Sequence, residues 1–245
     1  MNGTKRLFGD VRKACEKYDM IDDGDTILVG VSGGKDSVSL LYALCELRRF
    51  YPKHFDIEAI AVDMQFQSIG RDSMDFSKIK DICDEYSVPF HVEKTDIAEI
   101  IFKERKESNP CSLCSRMRRG ALCSYAEKHG IKKLALGHHF DDAVETFILN
   151  LFFEGRLGCF SPVSKMEDTG VTVIRPLIET KESTIRYFIS SNGIEVLKNS
   201  CPEDKNSERE NIKKLLNTLE KNNKGLKHRI MLAMEKASID GLKLQ

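Results

Sequence analysis

The chain has 245 residues, of which 41% are hydrophobic and 31% charged, so it is long enough to bury the core of one large domain. Its 38 basic and 38 acidic residues cancel, which excludes the overall positive charge typical of nucleic-acid binders and leaves only local patches for RNA. No apolar run reaches the roughly 18 residues of a membrane helix, and the charged start lacks a signal-peptide core, so we expect a cytoplasmic protein without membrane contact.

Helices and strands are predicted to alternate along the chain. The first half is predicted to contain, in order, a basic helix over 4–18, a buried strand over 26–31, a helix over 37–50, a buried strand over 55–62, a helix over 77–86, a strand over 88–92 and a helical stretch over 99–105. The second half is predicted to contain a helix over 113–128, a strand over 131–136, a helix over 141–153, a strand over 171–174, a helix over 180–191 and a polar tail with a thin helical stripe of leucines.

This alternation predicts a doubly wound α/β fold, in which a parallel sheet is covered by helices on both faces. Helical extensions are expected at the N- and C-termini. We predict a main domain over residues 1–198, with the N-terminal helix and an inserted Cys-x-x-Cys segment, and a helical C-terminal extension over 199–245 that carries a third cysteine.

A glycine turn follows the first buried strand, with the sequence Ser32-Gly33-Gly34-Lys35-Asp36-Ser37. Glycine lets the backbone bring its amides close to a ligand, and the start of the next helix adds unpaired N–H groups and a positive dipole end. The lysine adds a cation, and both serine hydroxyls can donate to phosphate oxygens. The alternative, a plain strand-to-helix turn with a good N-cap, does not require all six residue types. The turn therefore predicts a phosphate-binding loop.

The turn resembles the S-G-G-x-D-S signature of the PP-loop ATP pyrophosphatase superfamily, whose fold is that of the adenine nucleotide alpha hydrolases. The resemblance implies that ATP binds here and is attacked at its α-phosphorus, with release of pyrophosphate. It implies that Gly33, Gly34, Lys35 and Ser37 hold the pyrophosphate portion, and the Ser32 hydroxyl is expected to bind ATP beside them. It also implies that Asp36 helps to place Mg²⁺ or fixes the loop, although a capping role at the helix start would explain this carboxylate equally well.

Two further strand ends carry candidate ATP-binding residues. Asp63 ends the second strand and can meet a ribose hydroxyl or the adenine amino group, or can simply form a turn. Gly137, His138 and Asp142 lie in a run that ends a later strand and opens a helix, and this run resembles the second ATP-side motif of the same superfamily. Ordinary capping of that helix by Asp141 is the structural alternative.

Eight cysteines in a reducing compartment favour metal or catalytic use over disulfides. Cys111 and Cys114 are spaced C-x-x-C at a predicted helix start, where the dipole and the nearby arginines favour thiolates. Cys201 is the natural third ligand because it lies in a polar segment. The remaining cysteines lie mostly on apolar helical faces or beside aromatic residues, where a small buried hydrophobe is expected: Cys15, Cys45, Cys83, Cys123 and Cys159.

The spacing of the three cysteines leaves three kinds of site open. A zinc site would need a fourth ligand, for example His138 or His139. A redox dithiol would use Cys111 and Cys114 alone, or would form a persulfide relay with Cys201. A three-cysteine iron–sulfur cluster would leave one iron open for chemistry.

Four segments together resemble the tRNA 2-thiocytidine synthetase family: residues 110–121, 135–146, 150–156 and 174–177. The similarity spans about residues 5–205. It implies a 4Fe-4S cluster on Cys111, Cys114 and Cys201, with a hydrosulfide on the unique iron. It also implies a two-step reaction, in which the C2 oxygen of a tRNA base is adenylated by ATP and sulfur then displaces AMP.

The same resemblance implies tRNA as partner, a sulfur donor that is either sulfide or a cysteine desulfurase, and a homodimer. Arginines beside the cysteines and at a strand end are the candidate RNA contacts: Arg116, Arg118, Arg119 and Arg175. The chain departs from the family pattern by having one cysteine at the third position and a shorter length. A cluster-free PP-loop ligase, either lysidine synthetase-like or amidating, and a zinc-stabilised nucleotide-binding module are the alternatives.

Overall fold

A six-stranded sheet between two helical layers organises the computed structural model, which describes residues 3–105, 110–197, 201 and 208–244. The strands are β1 (Asp25–Gly30), β2 (Phe55–Asp63), β3 (Phe90–Lys94), β4 (Lys133–Ala135), β5 (Val163–Lys165) and β6 (Thr172–Ile174). Their spatial order is β3-β2-β1-β4-β6-β5, and every neighbouring pair is parallel except β5 with β6. The predicted doubly wound sheet is therefore confirmed.

The helices cover both faces of this sheet, and their bounds lie close to the predicted ones. They are α1 (Gly3–Lys17), α2 (Lys35–Arg48), α3 (Ser77–Glu85), α4 (Ile97–Glu99), α5 (Pro110–Lys128), α6 (Phe140–Leu149), α7 (Glu182–Ser191), α8 (Glu208–Asn222) and α9 (Leu226–Lys236). Wider π-helical turns, Ile100–Arg105 and Asn150–Glu154, extend α4 and α6. None of the helices in the described part of the chain combines the length and apolar character that crossing a bilayer needs.

The apolar run of β1 is buried because both of its faces are covered. Ile27 and Val29 point into a core shared with α1, α2 and α7, whereas Leu28 points into a second core beneath α5. Alternate residues of a strand face opposite sides, so a strand inside two layers needs apolar residues at every position. The same argument explains why β5 was missed, since its three residues are half-buried or exposed and carry no such run.

The helices after residue 201 pack onto α6 rather than forming a separate core. Ile212, Leu216, Met231 and Met234 are buried within the same apolar cluster as α1 and α2. The predicted boundary at residue 198 stays a prediction, because residues 198–200 and 202–207 lie outside the described residues.

A buried ion pair attaches α9 to α6. Lys227 Nζ donates to Asp141 Oδ1 at 2.8 Å and to Asn217 Oδ1 at 2.8 Å. The second carboxylate oxygen of Asp141 accepts the backbone N–H of Glu182 at 2.8 Å. The three contacts join α9 to α6, α9 to α8 and α7 to α6, respectively.

Lys227→Ala is expected to lower the free energy of unfolding by about 3–5 kcal/mol, because it leaves a buried carboxylate without its cation. Urea titration followed by circular dichroism measures the change. Lys236→Ala, at an exposed position of the same helix, is the matched control and should change stability by less than about 0.5 kcal/mol. A loss below about 1 kcal/mol for the Lys227 variant would contradict the proposed importance of this pair.

Candidate active site

A crevice forms between the carboxyl ends of β1 and β4, where the sheet order reverses its direction. Ligands of open α/β sheets bind at such a point because the loops of the two strands diverge there. The crevice holds a cavity of about 400 Å³. We call it the first cavity; the predicted site residues that line it are Ser32, Asp36, Ser37, Arg118, Arg119, Gly137, His138, Asp142 and Arg175.

The phosphate loop is folded back on itself at the edge of the first cavity. Gly33 has a φ of +79°, a left-handed conformation that glycine adopts without a steric penalty. The Ser37 hydroxyl accepts the N–H of Ser32 at 3.1 Å and donates to the Gly34 carbonyl at 3.1 Å. These bonds hold the turn so that Ser32, Asp36 and Ser37 face the cavity.

Gly33, Gly34 and Lys35 do not line the first cavity. The N–H of Leu197 donates to the Gly33 carbonyl at 2.9 Å, and the Leu197 side chain fills the space where a Cβ on Gly33 would lie. Lys35 Nζ lies 2.9 Å from Asp36 Oδ2 and 3.1 Å from Glu182 Oε1. Phosphate binding by these three residues therefore stays a prediction.

Glu182 forms an ion pair with Lys35 of the phosphate loop. Burial alone would raise the pKa of this carboxyl, but the cations of Lys213 and Lys35 outweigh burial and lower the pKa to about 2. Glu182 is thus ionised at neutral pH. It can keep Lys35 protonated beside the phosphate loop.

The loop after β4 packs tightly against the phosphate loop. A Cβ on Gly137 would lie 3.1 Å from the backbone nitrogen of Ser37, so glycine allows this close approach. The helix α6 is capped by His139, whose Nδ1 accepts the N–H of Asp142 while the Asp142 carboxylate accepts the N–H of His139. Capping by Asp141, considered from the sequence, is therefore wrong, because that carboxylate instead binds Lys227.

The first cavity carries an excess of positive charge. Arg175 is buried, and burial together with the nearby Arg119 lowers the pKa of its guanidinium to about 10, so it stays charged at neutral pH. Burial and the charge of Arg175 lower the pKa of His138 to about 4, so this imidazole is neutral. The Nε atoms of Arg118 and Arg175 are buried and have no hydrogen-bond partner among the described residues. Such donors suit an anionic ligand.

Two predicted residues, Asp63 and Arg116, line neither cavity. The carboxylate of Asp63 accepts the N–H of Gln65 at 2.9 Å and so supports a turn in which Gln65 has a φ of +53°. Arg116 is exposed on α5 and lines neither cavity. Roles for Asp63 in ATP binding and for Arg116 in RNA binding stay predictions.

A second cavity of about 200 Å³ brings the three predicted cysteine ligands together. Cys111, Cys114 and Cys201 line it, in a mostly apolar wall that includes Met64 and Phe66. Cys201 follows α7 in the chain, whereas Cys111 and Cys114 lie at the start of α5, so only the folded chain brings the three residues to one cavity. The other five cysteines do not line this cavity, and four of them are buried: Cys15, Cys45, Cys83 and Cys123.

The donor set suits a metal group held by three sulfur ligands. Burial and the neighbouring Cys201 and Cys111 raise the pKa of the Cys114 thiol, while Arg118 opposes this effect. No three His, Cys, Asp or Glu side chains of the described residues are already arranged around one metal position, so the thiols would have to turn toward a common point. Soft thiolate ligands select iron–sulfur clusters or zinc. The proposed fourth zinc ligands, His138 and His139, do not line this cavity.

Ser115 and Arg118 line both cavities and form their common wall. Sequence reasoning did not select Ser115, nor Thr146, Phe160 and Arg209, which also line the first cavity. Arg209 lies in a tail where acidic and basic residues alternate, a pattern typical of a solvated helix face, so the sequence gives no signal of its own for this residue. Its position beside the cavity follows from the packing of α8 on α6.

Comparisons with known proteins identify the family of the chain. The model of the PP-loop domain family matches residues 8–219. The tRNA-cytidine(32) 2-sulfurtransferase of Citrifermentans bemidjiense is 39% identical over 233 residues, covering 94% of this chain and 89% of that protein. The corresponding enzyme of Geotalea daltonii is 40% identical over 236 residues, covering 94% and 90%.

Solved structures share the fold at lower identity. The U34-tRNA thiolase NcsA from Methanococcus maripaludis, which carries a 4Fe-4S cluster, superposes with a TM-score of 0.78 at 24% identity, covering 96% of this chain and 79% of that one. The NH3-dependent NAD synthetase of Campylobacter jejuni gives a TM-score of 0.50 at 15% identity, covering 100% and 99%. The resemblance inferred from the motifs is confirmed: the chain belongs to the tRNA-cytidine(32) 2-sulfurtransferase family of PP-loop proteins.

Proposed function

We propose that the chain uses ATP to adenylate the C2 oxygen of a cytidine in tRNA and then replaces that oxygen with sulfur. The observation that carries this proposal is the common wall of the two cavities, made by Ser115 and Arg118. An activated base in the first cavity and a sulfur atom in the second would lie on opposite sides of this wall. Its family membership supports the same reaction.

In the first step the C2 oxygen attacks the α-phosphorus, an O–P bond forms, and the bond to pyrophosphate breaks. The protein's task is to position the reactants and to neutralise phosphate charge. Ser32 and Ser37 offer hydroxyl groups at the cavity edge, and Arg175 offers an unpartnered buried Nε. Lys35, paired with Asp36 and Glu182, would turn toward the phosphates, and Asp36 would then be available to Mg²⁺.

In the second step a C–S bond forms at C2 and AMP leaves with the original oxygen. Cys111, Cys114 and Cys201 would hold a 4Fe-4S cluster, which supplies an open iron site for the sulfur when bound. Arg118 lies between the cavities, where its charge favours both the thiolates of the second cavity and the phosphate of the leaving AMP.

The partners follow from this chemistry. The tRNA would approach over Arg116, Arg118 and Arg119, and the buried Arg175 would meet only a nucleotide that enters the first cavity. The sulfur donor would be sulfide or a cysteine desulfurase. Because the chain has no net charge, a homodimer would help RNA binding by bringing the positive patches of two copies together. A tRNA substrate places the proposed enzyme in the cytoplasm.

A reconstituted assay tests the proposal. The protein, loaded anaerobically with iron and sulfide, is incubated with ATP, Mg²⁺ and tRNA that lacks thiolation, and the digested nucleosides are analysed by mass spectrometry. We expect 2-thiocytidine together with AMP, and no product when ATP is omitted. Adenylation that yields lysidine or an amidated base instead would reassign the chain to a cluster-free ligase. Absence of any ATP-dependent product would reject the proposal.

A further inference from the structure

Arg209 links the C-terminal extension to the first cavity. It lies in the first turn of α8 and is the one residue of 208–244 that lines this cavity. Its Nη2 donates to Thr146 Oγ1 at 2.8 Å, and its Nη1 lies 3.6 Å from Asp142 Oδ1. Both partners lie on α6, one helical turn apart, so the guanidinium lies along the cavity side of that helix.

A continuous series of polar contacts joins Arg209 to the phosphate loop. The Asp142 carboxylate lies 3.5 Å from His139 Nε2, and the same nitrogen lies 3.5 Å from Asp36 Oδ1. Asp36 in turn pairs with Lys35 at 2.9 Å. The cation of α8 is therefore connected, through Asp142 and His139, with the loop that is proposed to hold ATP.

The first cavity is lined by more positive than negative side chains, an imbalance that an anionic ligand would neutralise. Four arginines line it, namely Arg118, Arg119, Arg175 and Arg209, against two carboxylates, Asp36 and Asp142. Arg209 donates one hydrogen bond to Thr146, but its contact with the Asp142 carboxylate is long, and 43% of its side chain is exposed at the edge of the cavity. A guanidinium binds phosphate oxygens through two parallel N–H donors, which an aspartate at 3.6 Å does not satisfy.

We propose that Arg209 binds the phosphate chain of the nucleotide, which makes helix α8 part of the ATP site. This inference rests on the proposed function and names a binding residue that the phosphate-loop motif does not contain.

Equilibrium binding of ATP and of adenosine to the cluster-free protein tests the proposal. Arg209→Ala is expected to raise the Kd for ATP roughly 10- to 100-fold, because it removes a charge-assisted contact, and to leave the Kd for adenosine unchanged. Arg209→Lys keeps the positive charge but lacks the two parallel N–H donors of the guanidinium, so it should recover part of the ATP affinity. Lys214→Ala, at an exposed position of the same helix, is the matched control and should bind ATP like the unmodified protein.

Two results would overturn the inference. The first is an unchanged Kd for ATP in Arg209→Ala; the second is an equal weakening of ATP and adenosine, which would indicate that the substitution merely displaces α8. If Arg209→Ala fails to fold, Arg209→Gln keeps a donor for Thr146 and should still lose ATP affinity selectively. If the unmodified protein binds no ATP, the proposed function itself fails, which is a distinguishable outcome.

Discussion

Lys35→Ala is expected to slow the conversion of ATP to AMP roughly 100- to 1000-fold, the loss typical when one charged donor to a developing oxyanion is removed. In the structure Lys35 is already held beside the phosphate loop by Asp36 and Glu182, so its charge is available without a large movement. Pyrophosphate release in the presence of tRNA, measured by a coupled enzyme assay, gives the rate.

Lys213→Ala is the matched control for the Lys35 variant. Lys213 and Lys35 contact the same Oε1 of Glu182, at 3.0 Å and 3.1 Å, but only Lys35 belongs to the phosphate loop. The control should therefore keep most of the activity. If both variants lose activity equally, the role of Lys35 is to neutralise Glu182 and its phosphate contact is rejected.

Cys201→Ser is expected to abolish thiolation and to lower the bound iron, while the affinity for ATP stays unchanged. A three-cysteine site that loses one thiolate can hold neither the full cluster nor the open iron position. Because Cys201 lines the second cavity and not the first, its loss should spare nucleotide binding. Iron and sulfide content, visible absorbance after anaerobic reconstitution and ATP titration measure these three quantities.

Cys123→Ser serves as the control for the sulfur ligands. Cys123 lies on α5, as Cys111 and Cys114 do, but it is buried and lines neither cavity. It should retain iron and thiolation, with some loss of stability from burying a hydroxyl group. A Cys201→Ser protein with full iron content and full thiolation would remove Cys201 from the proposed ligand set. Stoichiometric zinc in the unmodified protein, without iron, would favour the nucleotide-binding module.

The alternation of apolar runs and amphipathic segments was enough to predict the sheet and its two helical layers. In β1 and β2 the burial of both faces requires near-continuous apolar residues, so these strands can be recognised from their own short stretch of sequence. The short edge strand β5 carries no such signal, since its pairing with β6 and not its own composition makes it a strand. The cap of α6 likewise has no unambiguous local signal, because His139 and Asp141 are both polar and only the position of Lys227 separates their roles.

By itself the sequence determined the family and predicted the phosphate loop and the Cys111–Cys114 pair, because each rests on residue types at short spacing that a strand–turn–helix or a helix start presents locally. The tertiary structure alone decided that Cys201 lines one cavity with Cys111 and Cys114, and that Ser115 and Arg118 of α5 form the common wall of the two cavities. It also decided that Arg209 lies beside Asp142. These are contacts between segments far apart in the chain, and their formation depends on how helices pack around a shared core, which no local pattern encodes.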